Sequence, residues 1–257
     1  MPLISIITVC YNAAGTVERT LDSVDTQTFG NYEHLIIDGA STDGTIAAIK
    51  SRPNMRRKVV SEPDGGLYDA MNKGLALAGG EYVVFMNAGD KFHSPDSLRA
   101  VADALAANDR PGIVYGQTVL VDNDGNITGE RHLRAPGKLT LKSFATGMVV
   151  CHQAFVVLKI LAPFYDLRFR YSADYDWCIQ CLQHSRKNIG LGDTVLVDYL
   201  NEGLTTKKHK ASLLERFRIM CTYYGFMPTV LRHAGFACRY ALRTLKNKNR
   251  KQRYCSI

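Results

Sequence analysis

Five residues, Tyr82-Val83-Val84-Phe85-Met86, do most to limit what this chain of 257 residues can become. Every position is apolar, and the run is too short for most helices and rich in β-branched and aromatic side chains. It predicts a strand buried on both faces of a parallel sheet. The run belongs to the segment 61–90, SEPDGGLYDAMNKGLALAGGEYVVFMNAGD. Glu62-Pro63-Asp64-Gly65-Gly66 can continue neither helix nor strand, because proline lacks a donor and paired glycines favour turns. Apolar residues at Leu67, Met71, Leu75 and Ala78 then mark one face of a helix that stops at Gly79-Gly80. Beyond the strand lies Asn87-Ala88-Gly89-Asp90, at the carboxyl end where open α/β sheets bind their ligands.

The same grammar recurs along the first half. The run from Leu3 to Cys10 predicts a central strand with Tyr11-Asn12 at its end, followed by a helix on Val17, Leu21 and Val24 with Thr16 as its cap. His34 to Ile37 predicts a second strand that delivers Asp38, and Thr42 or Asp43 caps a helix reaching Lys50. Val59-Val60 is a third strand. Strand and helix alternating over short connections imply parallel pairing with right-handed crossovers. Ser94-Pro95-Asp96 opens a helix to about Asn108. Past it the pattern changes to short strands at 113–115, 119–121 and 127–129, with a hairpin-type turn over 122–125. A loop-rich stretch covers 131–147, a strand 154–158, a helix 177–184 opened by Ala173-Asp174-Tyr175-Asp176, and a last core strand 194–199.

Composition enters at two points. The chain has a net charge of +8, yet from Thr206 onward thirteen Lys and Arg face the single acid Glu215, so the rest of the chain is acidic. On a helical wheel Leu231, Gly235, Cys238, Leu242 and Leu245 share a face flanked by Arg232, Arg239, Arg243 and Lys246. That pattern suits either an anionic membrane boundary or a helix docked on protein with a solvated basic side. No nucleic-acid motif accompanies the basic residues. The seven cysteines form no regular framework, and the lone CxxC of Cys178 and Cys181 has no second pair to complete a zinc site, which predicts free thiols. No run approaches the roughly 18 apolar residues of a spanning helix. The opening residues read as a strand rather than a signal peptide, so the expected location is cytoplasmic.

Four stretches in order, SIITVCYN, HLIIDGASTDGT, AMNKGLALAGGEYVVFMNAGD and SADYDW, resemble glycosyltransferase family 2, whose members transfer sugars from nucleotide donors on a GT-A fold. The resemblance implies an α/β, GT-A-like architecture: a Rossmann-like, mostly parallel central sheet flanked by helices, with a C-terminal helical basic extension. It implies a transferase domain over 1–206, with a nucleotide-binding half to about 112 and an acceptor half from about 113. A basic amphipathic tail follows over 207–257.

It also assigns roles. Asp38 is either the acceptor for a uracil N–H or a brace for the turn that follows it, and Tyr11 either packs on that base or is a core aromatic. Asp64, Asp69 and Asn72 face the donor's ribose or sugar, unless Asp69 serves only an exposed ion pair with Lys73. The family's Asp-x-Asp motif falls on Asn87-Ala88-Gly89-Asp90, which places donor contacts at Asn87 and leaves Asp90 as the carboxylate for Mg²⁺ or Mn²⁺ or as a cap of the next turn. Asp174 is the general base that takes the acceptor hydroxyl's proton, in a pair where the family usually has Glu-Asp and this chain has Ala173-Asp174. His152 and Gln153 resemble a family His-Gln pair beside the acceptor or diphosphate, or are structural. Asn201 to Thr206 resembles a segment that closes over the diphosphate, with Lys207, Lys208 and His209 behind it.

The first reading is therefore an inverting, nucleotide-sugar-dependent transferase, UDP-dependent, acting on a lipid-linked or polysaccharide acceptor at the inner membrane face. The second is a nucleotide-sugar-binding or adaptor protein that docks at the membrane without turnover. A Rossmann dehydrogenase is a poor third reading, since no GxGxxG follows the first strand. The first reading requires Asp38, Asp90 and Asp174 to meet around one cleft.

Overall fold

The computed structural model describes residues 1–200 and 209–236. The chain divides into two compact units, Met1–Ser212 and Leu213–Ile257. The boundary expected at 206/207 falls in a stretch outside the described residues.

The first unit is built on strands β1 (Ile4–Cys10), β2 (Tyr32–Asp38), β3 (Arg57–Ser61), β4 (Tyr82–Phe85), β5 (Lys91–Phe92), β6 (Ile113–Val121), β7 (Ile127–Glu130), β8 (Phe155–Leu158) and β9 (Asn188–Leu200). They form one nine-stranded sheet in the order β3-β2-β1-β4-β8-β6-β9-β5, with β7 paired to β6 off this path. The β3-β2-β1-β4 half is parallel throughout. Strand β8 runs against both β4 and β6, while β6 and β9 are again parallel. Every residue of β1, β2 and β4 is buried, as expected of strands covered on both faces.

Helices α1 (Val17–Asp25), α2 (Thr45–Lys50), α3 (Leu67–Leu77), α4 (Ser97–Ala107), α5 (Leu141–Phe144) and α6 (Ala173–His184) flank the sheet. Helix α3 buries Tyr68, Ala70, Met71, Gly74 and Leu75. With no side chain at Gly74, it settles directly onto Ile7 of β1 and Ile37 of β2. An apolar cluster joins the sheet to α1 and α4 through Ile4, Ile6, Val24, Val84, Leu98, Val101, Leu105, Val156 and Val197.

Several expectations are corrected. Helix α4 begins at Ser97, because the Ser94 hydroxyl and the Ser97 hydroxyl satisfy the Asp96 and Ser94 amides in a turn ahead of it. Thr16 stands at the cap of α1 without a capping bond from its side chain; the amides of Ala13 and Ala14 are met instead by Thr45 Oγ1 and Asp43 Oδ2. The two strands expected at 113–115 and 119–121 are one strand, β6, bent where its register with β9 shifts. Strand β9 is thirteen residues long, and β5 was not foreseen. Cys178 and Cys181 are unpaired and buried in α6, with thiols that burial pushes well above their ordinary range.

In the second unit, α7 (His209–Tyr224) crosses in from the first, and after Gly225 a further helical run covers 226–236. Phe217 packs edge-on against Phe226 and His233, at 6.2 and 5.1 Å between centroids. Leu231 is 68% exposed. The rest of the amphipathic face, from Cys238 on, lies outside the described residues. Among the described residues no helix is long and apolar enough to cross a membrane.

Candidate active site

Strands β1, β2 and β3 end level with one another, Cys10 opposite Asp38 and Asp38 opposite Ser61. That register brings donors to Asp38 from both neighbours. Its Oδ1 accepts the Ser41 hydroxyl at 2.5 Å and the Cys10 thiol at 3.5 Å, and its Oδ2 accepts the Ser61 hydroxyl at 2.7 Å and the Ser41 amide at 3.0 Å. Burial alone would raise the Asp38 pKa, but these donors hold it below the ordinary carboxylate value. The residue is 0% exposed. Accepting a bond from a base requires an exposed oxygen, and this structure exposes none, so the geometry displays the brace.

What Asp38 braces is a wall at the strand ends. The loops after β1 and β2 interlock, with the Asn12 amide donating to Ser41 Oγ at 2.8 Å and the Thr42 amide to Asn12 Oδ1 at 3.0 Å. Asn12 and Ala40 both adopt left-handed backbone, at φ 48° and 59°. Local strain of this kind persists only where the surroundings over-determine it. Tyr11, 67% exposed, and Asp64 close over Gly39: a Cβ there would lie 2.5 Å from Asp64 Oδ2 and 3.3 Å from the Tyr11 ring. An open aromatic face beside a carboxylate is the chemistry that receives a nucleobase and its N–H groups.

Asp69 and Asn72 have other partners. Asp69 Oδ2 accepts the Gly65 amide at 2.8 Å, and Lys73 lies 2.9 Å from Glu62 but 3.9 Å from Asp69. Asn72 brackets the backbone of Tyr165, donating to its carbonyl at 3.0 Å and accepting its amide at 2.7 Å. Its side chain thus ties α3 to the connector before α6 rather than facing a sugar.

The second group of residues gathers on a 3-10 turn, His152–Ala154, just before β8. Because β8 pairs with β4, this turn sits at the end of β4 where Asn87 and Asp90 emerge. Gln153 donates to Asp90 Oδ2 at 2.6 Å, and the Leu200 amide at the end of β9 donates to Asp90 Oδ1 at 2.9 Å. Asp90 is 4% exposed, and its burial raises its pKa to about 6 against these two donors and the charges of His152 and Arg19. His152, the residue before Gln153, places Nδ1 3.5 Å from Asp174 Oδ2. Asp174 stands in the first turn of α6, close to that helix's positive end. Its Oδ1 accepts the Tyr68 hydroxyl at 3.2 Å and the Tyr175 amide at 2.9 Å.

Two consecutive side chains therefore hold Asp90 and Asp174 from either side, while Asp38 keeps to its own contacts with Cys10, Ser41 and Ser61. Of the pair that His152 and Gln153 contact, Asp174 alone is partly exposed.

The donor set at the end of β4 does not fit a resident divalent cation. Mg²⁺ in proteins is held through one or two carboxylates together with substrate phosphates. Asp90, the residue expected as metal ligand, is buried with both oxygens accepting from protein. Gly89 adopts φ 101°, and a Cβ would lie 2.8 Å from Leu200 Cδ2, so no carboxylate can replace it without moving the backbone. Asn87 Oδ1 is buried with no partner among the described residues, but it is one neutral oxygen. No cluster of three His, Cys, Asp or Glu suits a metal among the described residues.

Tyr68 and Tyr165 escaped the sequence reading. Tyr68 stacks on Tyr165 at 5.4 Å, Tyr165 on Trp177 at 5.2 Å, and Phe85 of β4 meets the last two edge-on. Tyr68 follows Leu67 in the helical stripe, and a large polar-tipped aromatic there was the available signal.

A curled, mostly parallel sheet with an antiparallel strand beside β4, and a site at its strand ends, defines a GT-A-like α/β protein. The Glycosyl transferase family 2 model matches residues 5–160, and the chain belongs to that family. It is 32% identical over 190 residues to a PGL/p-HBAD biosynthesis glycosyltransferase of Mycobacterium bovis (strain BCG / Pasteur 1173P2), covering 71% of each chain. The fold is similar to S. aureus TarS 1-349, with a TM-score of 0.72 at 16% identity over 91% of this chain and 72% of that one. It is also similar to the mannosyltransferase PcManGT from Pyrobaculum calidifontis in complex with GDP-Man and Mn²⁺, with a TM-score of 0.63 at 17% identity over 96% of this chain and 80% of that one. The chain is a glycosyltransferase.

Proposed function

We propose that this glycosyltransferase moves a sugar, with inversion, from a UDP-sugar to a hydroxyl of a lipid-linked or polysaccharide acceptor. The observation that carries the reading is the placement of Asp174 against His152 while the neighbouring Gln153 secures the end of β4. The base rests between Tyr11 and Asp64, with Asp38 holding the wall behind them and the donor's ribose reaching toward Asn87. The acceptor oxygen attacks the anomeric carbon as the bond from that carbon to the diphosphate breaks. Asp174 takes the acceptor's proton, and the products are a glycoside of opposite configuration and UDP. No step is routed through a metal. TarS is known in complex with UDP-GlcNAc, which supports a UDP donor. The mycobacterial relative's name, a PGL/p-HBAD biosynthesis glycosyltransferase, supports a biosynthetic glycosylation. The basic residues from Lys207 on support work at the inner face of an anionic membrane, though the tail that would do this is mostly outside the described residues.

The test is a panel of α-linked UDP-sugars with the purified full chain and a panel of lipid-linked and oligosaccharide acceptors, following UDP release and reading the configuration of the new glycosidic bond by NMR. A β-configured product is expected. An α-configured product, or UDP binding with no release from any donor, overturns the reading; the second result points to the docking protein instead.

A further inference from the structure

We infer that Tyr68 is a positioning residue for the general base, fixing the Asp174 carboxylate together with His152. This rests on the transferase reading and adds to it a residue outside every motif of the family resemblance.

Three features carry it. Tyr68 is buried, and its ring is held in a column, stacked on Tyr165 with 23° between planes while Tyr165 lies nearly parallel to Trp177 at 11°. A ring fixed on a column of this kind has little freedom, so its hydroxyl reaches Asp174 Oδ1 at 3.2 Å from a set direction. On the far side His152 Nδ1 faces Oδ2, and the Phe85 ring lies 6.4 Å from the imidazole. The carboxylate is thus approached at one oxygen by the first turn of α3 and at the other by the turn before β8. His152 Nε2 is itself buried with no partner among the described residues. Rotation of the carboxylate about its last bond would break contacts with two elements at once.

Tyr68 stands four residues after Asp64, across the Gly65-Gly66 turn, so the loop that meets the nucleotide leads directly into the residue that orients the base.

Tyr68→Phe removes the hydroxyl and keeps the ring on its column. With the UDP-sugar that the wild type turns over fastest and water as acceptor, kcat for UDP release is expected to fall roughly 10- to 100-fold with the donor KM unchanged, the size of effect expected of a misoriented group. In an Asp174→Asn background the same change is expected to do nothing further, since Tyr68 acts through the carboxylate. Melting temperature and the shift caused by UDP should match wild type, which a role confined to folding would not leave intact. An active wild type whose rate Tyr68→Phe does not lower overturns the assignment, as does an equal loss in the Asp174→Asn background. A wild type that binds UDP but releases none from any donor removes the transferase reading, and the positioning role with it.

Discussion

Asp90 is a charge that its surroundings resist. Its pKa of about 6 in the folded chain lies above the ordinary carboxylate value of 3.8, so the folded state holds this proton more tightly than the unfolded one. The stability it contributes is full below the unfolded value and is lost as pH rises through about 6. Asp90→Asn does not titrate there. The wild type should therefore gain on the variant, by on the order of 1 kcal/mol, as pH falls from 7 to 5; denaturant titrations of both proteins at the two pH values check this, and a constant difference would contradict it. Beside it, Gly89 makes a second expectation. Because neither Gly89 nor Asp90 can offer a free carboxylate, Mn²⁺ alone should leave the melting temperature where it is, whereas UDP should raise it as any ligand of the folded state does. A rise with Mn²⁺ alone would show a cation site that these side chains do not provide.

At the scale of elements, the connector before α6 depends on one amide. Asn72→Ala removes both hydrogen bonds that bracket Tyr165 and leaves that residue's backbone groups in search of partners. The cost should be about 1–3 kcal/mol in urea unfolding with little change in slope, and a change below about 0.5 kcal/mol, the size usual at plain surface sites, would mean the bracket is incidental. This is also where the sequence falls silent. Strands β1, β2 and β4 announce themselves because each is continuous and buried on both faces, and the polar residues after them mark the site's location. Strand β5 has two residues and exists only because Lys91 and Phe92 meet Val197 and Asp198 of β9, a pairing over a hundred positions away. Asn72 lies 93 positions from Tyr165, and Tyr68 lies 106 from Asp174. Local periodicity carries no trace of such partners. The same blindness explains Asp38 and Asp90: their positions at strand ends could be read, but whether a carboxylate there faces solvent or four protein donors depends on register with Cys10, Ser41 and Ser61.

Over the first unit as a whole, the antiparallel strand β8 decides how the chemistry is assembled. By inserting between β4 and β6 it brings the His152–Ala154 turn to the end of β4, and the sequence order His152-Gln153 then becomes a spatial order from Asp174 to Asp90. The proposed mechanism separates its tasks: the wall at β1 and β2 would receive the nucleotide, and α6 would supply the base. Binding and chemistry should therefore come apart under a single change. The decisive experiment is Asp174→Asn against wild type, with UDP affinity by calorimetry and UDP release from the best donor measured on the same preparations. Affinity should be unchanged while kcat falls roughly 10²- to 10⁴-fold, the range of a lost general base. Equal turnover in the two proteins would contradict the mechanism built on that carboxylate.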